Sequence, residues 1–374
     1  MAHHKDAIAQ IIKGQWQYIL ANCNSYQWRI LYAIKSCRTA VLGGELYVCD
    51  KCSNPHVRYN SCGNRHCPRC QNTEKLRWIE ARKDQFIQTK YYHVVFTIPH
   101  DLNGLCLSNS RVMYTALFQS AWQTLNGFGW NKKFLGAQMG ATMVLHTWGS
   151  NLSYHPHVHC IVPGGGVTLR NKWKTAKGNG KYLFPVKELS KVFKAKYLQA
   201  IKETKIRISS TVKKEIKSKD WIVYAKPAFG NKETLIKYLA RYAYKTAITH
   251  HRIRYYDDEK VVFSYRDYKH QNQKKEMTLS SREFVRRFTQ HIQPKGFIRV
   301  RHYGILHSSW KSKLFPAASV SEKKDYKTIW NEKGLKVDQC PKCKKGNLLF
   351  IEKIQPTRGP PYKHRKTTNQ ILND

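Results

Sequence analysis

Acidic residues are scarce in this chain: 24 Asp and Glu stand against 66 Lys and Arg, a formal net charge of +42. So large an excess excludes ordinary solubility tuning and attracts polyanions, of which a nucleic-acid backbone is the commonest in a cell. Long apolar runs are missing too, since none approaches the roughly 18 residues needed to span a bilayer. The basic residues are spread along the whole chain and not gathered in one amphipathic helix or tail, which argues against a membrane-surface protein. The start, Met1-Ala2-His3-His4-Lys5-Asp6, has neither the apolar stretch nor the small-residue cleavage site of a signal peptide, so a cytoplasmic location is expected. No Gly-x4-Gly-Lys-Ser/Thr phosphate loop and no internal repeat is found.

What is present begins with cysteine. The eleven cysteines are an odd number, and six of them form three Cys-x-x-Cys pairs, a spacing that favours zinc over disulfides. Cys49, Cys52, Cys67 and Cys70 supply four thiolates as two knuckles, which is the closed four-ligand set of a structural Zn²⁺ site. Cys62 and His66, with Cys37 and His56, sit close enough to replace a ligand or to form a second site. Cys340 and Cys343 stand alone, either closing a site with histidines elsewhere or lying in a surface loop. Arg65 and Arg69, together with Lys51 and Arg58, surround the ligands and are expected to grip DNA.

Periodicity predicts an α+β chain. Two short helices are expected over 5–36, a helix over 73–90 and another over 110–126. Strands are expected at 91–98, 141–148, 156–162 and 221–225, with a lysine-rich insertion between the last two. A helix over 232–246 is followed by strands near 260–266 and 296–301 and a helix near 281–291. Three regions follow: a helical and zinc-binding recognition module at 1–90, a catalytic domain at 91–310, and a basic, partly disordered C-terminal region at 311–374.

His157 and His159 alternate with Val158 on the strand His155-Pro156-His157-Val158-His159, so both imidazoles project from one face as half a metal site. His146, on the preceding strand, is the candidate third ligand. Tyr238 and Tyr242 share a helix face. A divalent ion can polarise a scissile phosphate, and a tyrosine can attack it and store the bond energy as a phosphotyrosine. Arg241 and Lys245 are placed to lower a phenol pKa or hold a phosphate.

This order of elements resembles the transposases of the insertion sequence 91 family, members of the HUH endonucleases. The resemblance is carried by Asn60-Ser61-Cys62-Gly63-Asn64-Arg65-His66-Cys67-Pro68-Arg69-Cys70-Gln71, His157-Val158-His159, Gly164-Gly165-Gly166, Tyr238-x3-Tyr242 and Arg301-His302-Tyr303-Gly304. It covers roughly residues 37–310. It implies a ferredoxin-like antiparallel palm, Mg²⁺ or Mn²⁺ dependence, and rolling-circle transposition through single-stranded DNA. It also implies two catalytic tyrosines, which fall on Tyr238 and Tyr242.

The expected activity is therefore strand transfer on single-stranded DNA at the element's ends, through a 5′-phosphotyrosine. Rings such as Trp122, Trp148 or Tyr154 are candidates to stack the bases. Without a phosphate loop, unwinding would fall to a host helicase, and no oligomeric state follows from the residues. Two rivals remain: a non-catalytic zinc DNA-binding regulator, which needs neither the histidines nor the tyrosines, and a nuclease that uses metal and water and needs no tyrosine.

Overall fold

The computed structural model describes residues 6–80, 87–177, 183–227, 232–267, 270–314, 326–332, 334 and 336–357. The chain opens with three helices where two were expected: α1 (Ala7–Gly14), α2 (Trp16–Asn22) and α3 (Ser25–Lys35). The last break is made by Asn24, whose side chain accepts from the backbone N–H groups of Tyr26 and Gln27 while Gln27 Oε1 accepts from Asn24 N–H, a reciprocal cap. The hairpin β1 (Gly44–Cys49) and β2 (Pro55–Tyr59) follows, then α4 (Pro68–Glu80). Residues 81–86 of the helix expected over 73–90 lie outside the described residues.

The central region runs β3 (Tyr91–Thr97), α5 (Asn103–Ser108), α6 (Ser110–Trp130), β4 (Gly140–Trp148), β5 (Tyr154–Pro163), the small hairpin β6 (Gly165–Val167) and β7 (Trp173–Thr175), α7 (Val186–Lys202), α8 (Ser210–Ser218), β8 (Val223–Pro227) and α9 (Lys232–Ala243). After it come β9 (Ile253–Tyr256), β10 (Lys260–Asp267), β11 (Gln273–Ser280), α10 (Ser281–Gln290), β12 (Val300–Gly304), α11 (Ser308–Leu314), α12 (Tyr326–Glu332) and β13 (Leu348–Ile354). The sheets are antiparallel and the chain is α+β, as expected.

The main sheet has the order β12-β4-β5-β3-β8, with every neighbouring pair antiparallel. Alternation divides its two faces. Val94, Phe96, Leu145, Val158 and Cys160 turn to one side and pack on α6 and α7 through Leu117, Phe118, Ala121, Phe193 and Tyr197. Each such large apolar side chain contributes about 1.5–3 kcal/mol when fully buried. The lysine-rich stretch read as an insertion therefore belongs to the core: Leu189, Phe193, Tyr197 and Ile201 recur every four residues and are buried, while Lys187, Lys191 and Lys202 face solvent. The Phe193 and Phe96 rings pack at a tilt of 52°, with their centres 4.9 Å apart. The opposite face presents His93, His146, His157 and His159 and is covered by α9.

A second core joins distant parts of the chain. Ile8, Ile12, Ile19, Leu31 and Ile34 of the N-terminal helices pack on Val261, Phe263, Phe284 and Phe288 beside the β9-β10-β11 sheet. A third sheet, β13-β1-β2, brings the last described strand onto the N-terminal hairpin. Of the C-terminal region, 336–357 is thus built into the molecule, and residues 315–325, 333, 335 and 358–374 of the region expected to be partly disordered lie outside the described residues. Among the described residues, no helix is long and apolar enough to cross a membrane.

Candidate active site and metal centres

Three neighbouring strands deliver the histidines. His146 on β4 sits opposite His157 on β5, and His159 sits opposite Val95 on β3, one step of the pleat from His93. The structure brings together all three histidines named from the sequence: the ring nitrogens of His146, His157 and His159 lie within 4.8 Å of one another. His155, also on β5, stays outside this set.

The outer nitrogens are already engaged. His157 Nδ1 donates to the His155 carbonyl (2.6 Å), and His146 Nε2 donates to the Tyr242 carbonyl (2.8 Å). His159 Nδ1 lies 2.8 Å from His93 Nε2, while its Nε2 faces His157 Nε2 at 3.1 Å. Metal-ligating histidines ordinarily hold their second nitrogen in this way. Burial pushes the imidazoles down: His157 to about 3, His93 to about 4, and His146 and His159 well below the usual range. They are therefore neutral, the form that binds a metal. The donor set fits a divalent cation.

Tyr238 and Tyr242 lie over this cluster because α9 buries Leu235, Ile236, Leu239 and Ala240 on its other side, against Trp78, Ile79 and Ile161. Tyr238 Oη is 2.8 Å from His93 Nδ1, and Tyr242 Oη donates to Tyr238 Oη at 3.2 Å. The Tyr242 ring packs 4.2 Å from that of His159. A hydrogen-bonded chain thus runs from the Tyr238 hydroxyl through His93 to His159. The sequence reading missed His93, which stands alone on its strand with no second histidine at alternating spacing. It also missed Arg299, a buried guanidinium that donates to the Ala243 carbonyl (2.8 Å) at the end of α9 and to Gln71 Oε1 (3.0 Å) on α4.

The expected lowering of a phenol pKa by Arg241 does not govern Tyr238. Burial, followed by the Tyr242 hydroxyl, pushes Tyr238 upward and outweighs the arginine. Arg241 is exposed on α9. Lys245 faces the site, lining a cavity of about 1280 Å³ with both tyrosines and the histidines. Burial, then Arg252 and Arg241, lowers the Lys245 pKa. Lys226, Arg252, Arg254, Arg266 and Lys274 also line the cavity, with Asp267 as its acidic residue.

Several expected DNA contacts are committed elsewhere. Arg65 donates to the carbonyls of Phe297 (2.5 Å) and Pro294 (3.2 Å), and Arg69 pairs with Asp6 (2.5 Å) and donates to the Cys37 carbonyl. Trp122 stacks on Tyr303, and Tyr154 is buried with its hydroxyl 2.5 Å from that of Tyr114. Trp148 is buried against His146. The exposed ring beside the histidines is Tyr224.

The cysteines regroup. Cys49, Cys52, Cys67 and Cys70 do not form one site; Cys67 and Cys70 join Cys37 and Cys62, while Cys49 and Cys52 join Cys340 and Cys343. The reason is the β1–β2 hairpin. Cys49 ends β1, a strand of 6 residues. Its tip stands roughly 20 Å from its base, where Cys37 and Cys62 lie. Of the two additional ligands considered, Cys62 joins a cluster and His66 does not: its ring is buried near Arg299 and His291, beside a cavity of about 10 Å³.

A family model described as "Transposase zinc-binding domain" matches residues 8–98, and one described as "Putative transposase" matches residues 140–313. The chain is similar to "Putative transposase y4qJ" of Sinorhizobium fredii, with 35% identity over 90% of this chain and 91% of that protein. It is also similar to "Transposase for insertion sequence element IS801" of Pseudomonas savastanoi pv. phaseolicola, with 29% identity over 72% of this chain and 68% of that protein. No solved structure matches it significantly. Cysteine clusters suited to zinc, a cavity lined by basic residues, and these matched domains and relatives lead to one assignment: the chain belongs to the insertion sequence 91 family of transposases.

Proposed function

We propose that the chain nicks and rejoins single-stranded DNA through a covalent 5′-phosphotyrosine, with Tyr238 as the first nucleophile. The observation that carries this reading is the hydrogen-bonded chain from Tyr238 Oη through His93 to His159, inside the three-histidine cluster. The order β8-β3-β5-β4, with helices crossing between β3 and β4 and between β5 and β8, is compatible with a ferredoxin-like palm and supports the HUH reading.

Tyr238 Oη attacks the scissile phosphorus and gives its proton to solvent water, the bond to the 3′ oxygen breaks, and the 3′ oxygen takes a proton from solvent. With the His159 proton on Nδ1, His93 accepts at Nε2 and donates from Nδ1 to Tyr238, which stabilises the developing phenolate. Attack by the freed 3′ hydroxyl on the phosphotyrosine reverses the step and reseals the strand. Tyr242 takes the second strand end.

His146, His157 and His159 would hold a Mn²⁺ or Mg²⁺ ion, which when bound polarises the phosphoryl oxygen. A set of three nitrogen donors suits Mn²⁺ better than Mg²⁺. Lys226, Lys245 and Lys274 hold the phosphate backbone along the cavity, and Tyr224 offers a ring for stacking. Unwinding is left to a host helicase.

The test uses labelled single-stranded DNA from the flanks of the gene with Mn²⁺. A denaturant-resistant adduct that maps to Tyr238 and disappears in Tyr238→Phe is expected. Cleavage without an adduct would establish a nuclease that uses water, and binding without cleavage would establish a zinc-binding regulator.

A further inference from the structure

Cys340 and Cys343 lie beyond both matched domains, yet the structure sets them beside Cys49 and Cys52. Cys49 Sγ is 3.6 Å from Cys343 Sγ, and Cys52 Sγ is 3.8 Å from Cys340 Sγ. Four sulfurs at about 2.3 Å from a tetrahedral Zn²⁺ would stand about 3.8 Å apart. The other cluster has the same spacing, with Cys37 and Cys62 each 3.6 Å from Cys70.

The two turns are also built alike. In one, the N–H of Ser53 donates to the Cys49 carbonyl and Ser53 takes a left-handed φ of 51°. In the other, the N–H of Lys344 donates to the Cys340 carbonyl and Lys344 has φ of 57°. Backbone N–H groups point at the sulfurs: Lys51 N–H at Cys49 (3.4 Å) and Gly346 N–H at Cys343 (3.3 Å). Such bonds favour thiolate over thiol. Gly346 passes so close that a Cβ there would meet Cys49 Sγ at 2.5 Å. Asp50 N–H donates to the Asn347 carbonyl and Asn347 N–H to Asp50 Oδ1, which locks one turn onto the other. β13 then continues antiparallel along β1, with Cys49 opposite Leu348. Arg58 on β2 donates to the Val337 carbonyl and pairs with Asp338.

We propose that the chain carries two structural zinc sites, and that the second, formed by Cys49, Cys52, Cys340 and Cys343, clamps the C-terminal segment onto the N-terminal hairpin. The zinc module is then assembled from both ends of the chain, and the hairpin is incomplete without residues 336–354. The proposal is independent of the tyrosine chemistry, because no ligand of this site touches the histidine cluster.

The test is peptide-mapped alkylation of the zinc-loaded full chain before and after chelation. Cys52 is exposed and, as a free thiol, would lie open to the reagent. Protection of Cys52, Cys340 and Cys343, lost together on chelation, is expected. Free reaction of Cys52 while Cys62 and Cys70 stay protected would overturn the proposal. Zinc counting by native mass spectrometry gives a second reading. Cys340→Ser/Cys343→Ser should hold one zinc ion fewer than the unaltered chain, and an unchanged count would overturn the clamp. Should that variant fail to fold, alkylation of the unaltered chain still decides.

Discussion

Arg299 offers the sharpest test of how the tyrosine helix is held. Its guanidinium is buried and donates to the Ala243 carbonyl at 2.8 Å, to Gln71 Oε1 at 3.0 Å and to the Lys245 carbonyl at 3.4 Å. Ala243 ends α9, so its carbonyl has no partner within the helix. Arg299→Met keeps much of the volume and removes the donors. Hydrogen bonds to a charged group are worth about 1.5–3 kcal/mol each, and two short ones are lost. Relief of the cost of burying a cation offsets part of this, as the lowering of the Arg299 pKa to about 10 by burial indicates. The expected net loss is about 3 kcal/mol, localised at the end of α9, or roughly a hundredfold in amide protection. Hydrogen exchange over Leu235–Ala243 would read it. A shift of about 1 Å at Tyr238 would also lower adduct formation about a hundredfold. Arg299→Lys should not restore either readout, since an ammonium cannot bridge the same acceptors. Unchanged protection of α9 in Arg299→Met would refute the reasoning.

His93→Ala should slow adduct formation about a hundredfold with metal content unchanged, while His93→Gln, which can still bridge His159 and Tyr238, retains much more; equal loss in both would deny His93 its positioning role. His291 is buried, with a pKa lowered to about 4 by burial. The unfolded chain binds a proton there from about pH 6.5 downward and the folded chain only near its own lower value, so this contribution is full above pH 6.5 and lost as pH falls through that window, about 3 kcal/mol in all. Melting curves of the unaltered chain and His291→Gln should therefore converge between pH 7 and pH 5, and parallel curves would reject the assignment. Phe193→Ala should cost about 3–5 kcal/mol in denaturant unfolding; a loss below about 1 kcal/mol would mean that α7 is not part of the core under the main sheet.

Local pattern made much of this legible. Alternation alone put His157 and His159 on one face of a strand, and helical spacing put Tyr238 above Tyr242. The lysines between 186 and 202 hid a buried stripe, because apolar residues every four positions are easily masked by charged neighbours. Arg65 and Arg69 looked like DNA contacts because charge is visible in a sequence, whereas the carbonyls and the carboxylate that engage them come from distant segments.

The residues by themselves determined the kinds of chemistry available: thiolate pairs for zinc, paired imidazoles, paired phenols and a field for polyanions. They also determined each group's local face, since backbone geometry fixes the period of a strand or a helix. Tertiary structure alone decided the partners. The pairing of β13 with β1 chose Cys340 and Cys343 for Cys49 and Cys52, and the length of one hairpin separated those two from Cys67 and Cys70. The adjacency of β3 to β5 brought His93 between His159 and Tyr238. Such choices depend on sheet order and register over long separations, where no local periodicity extends.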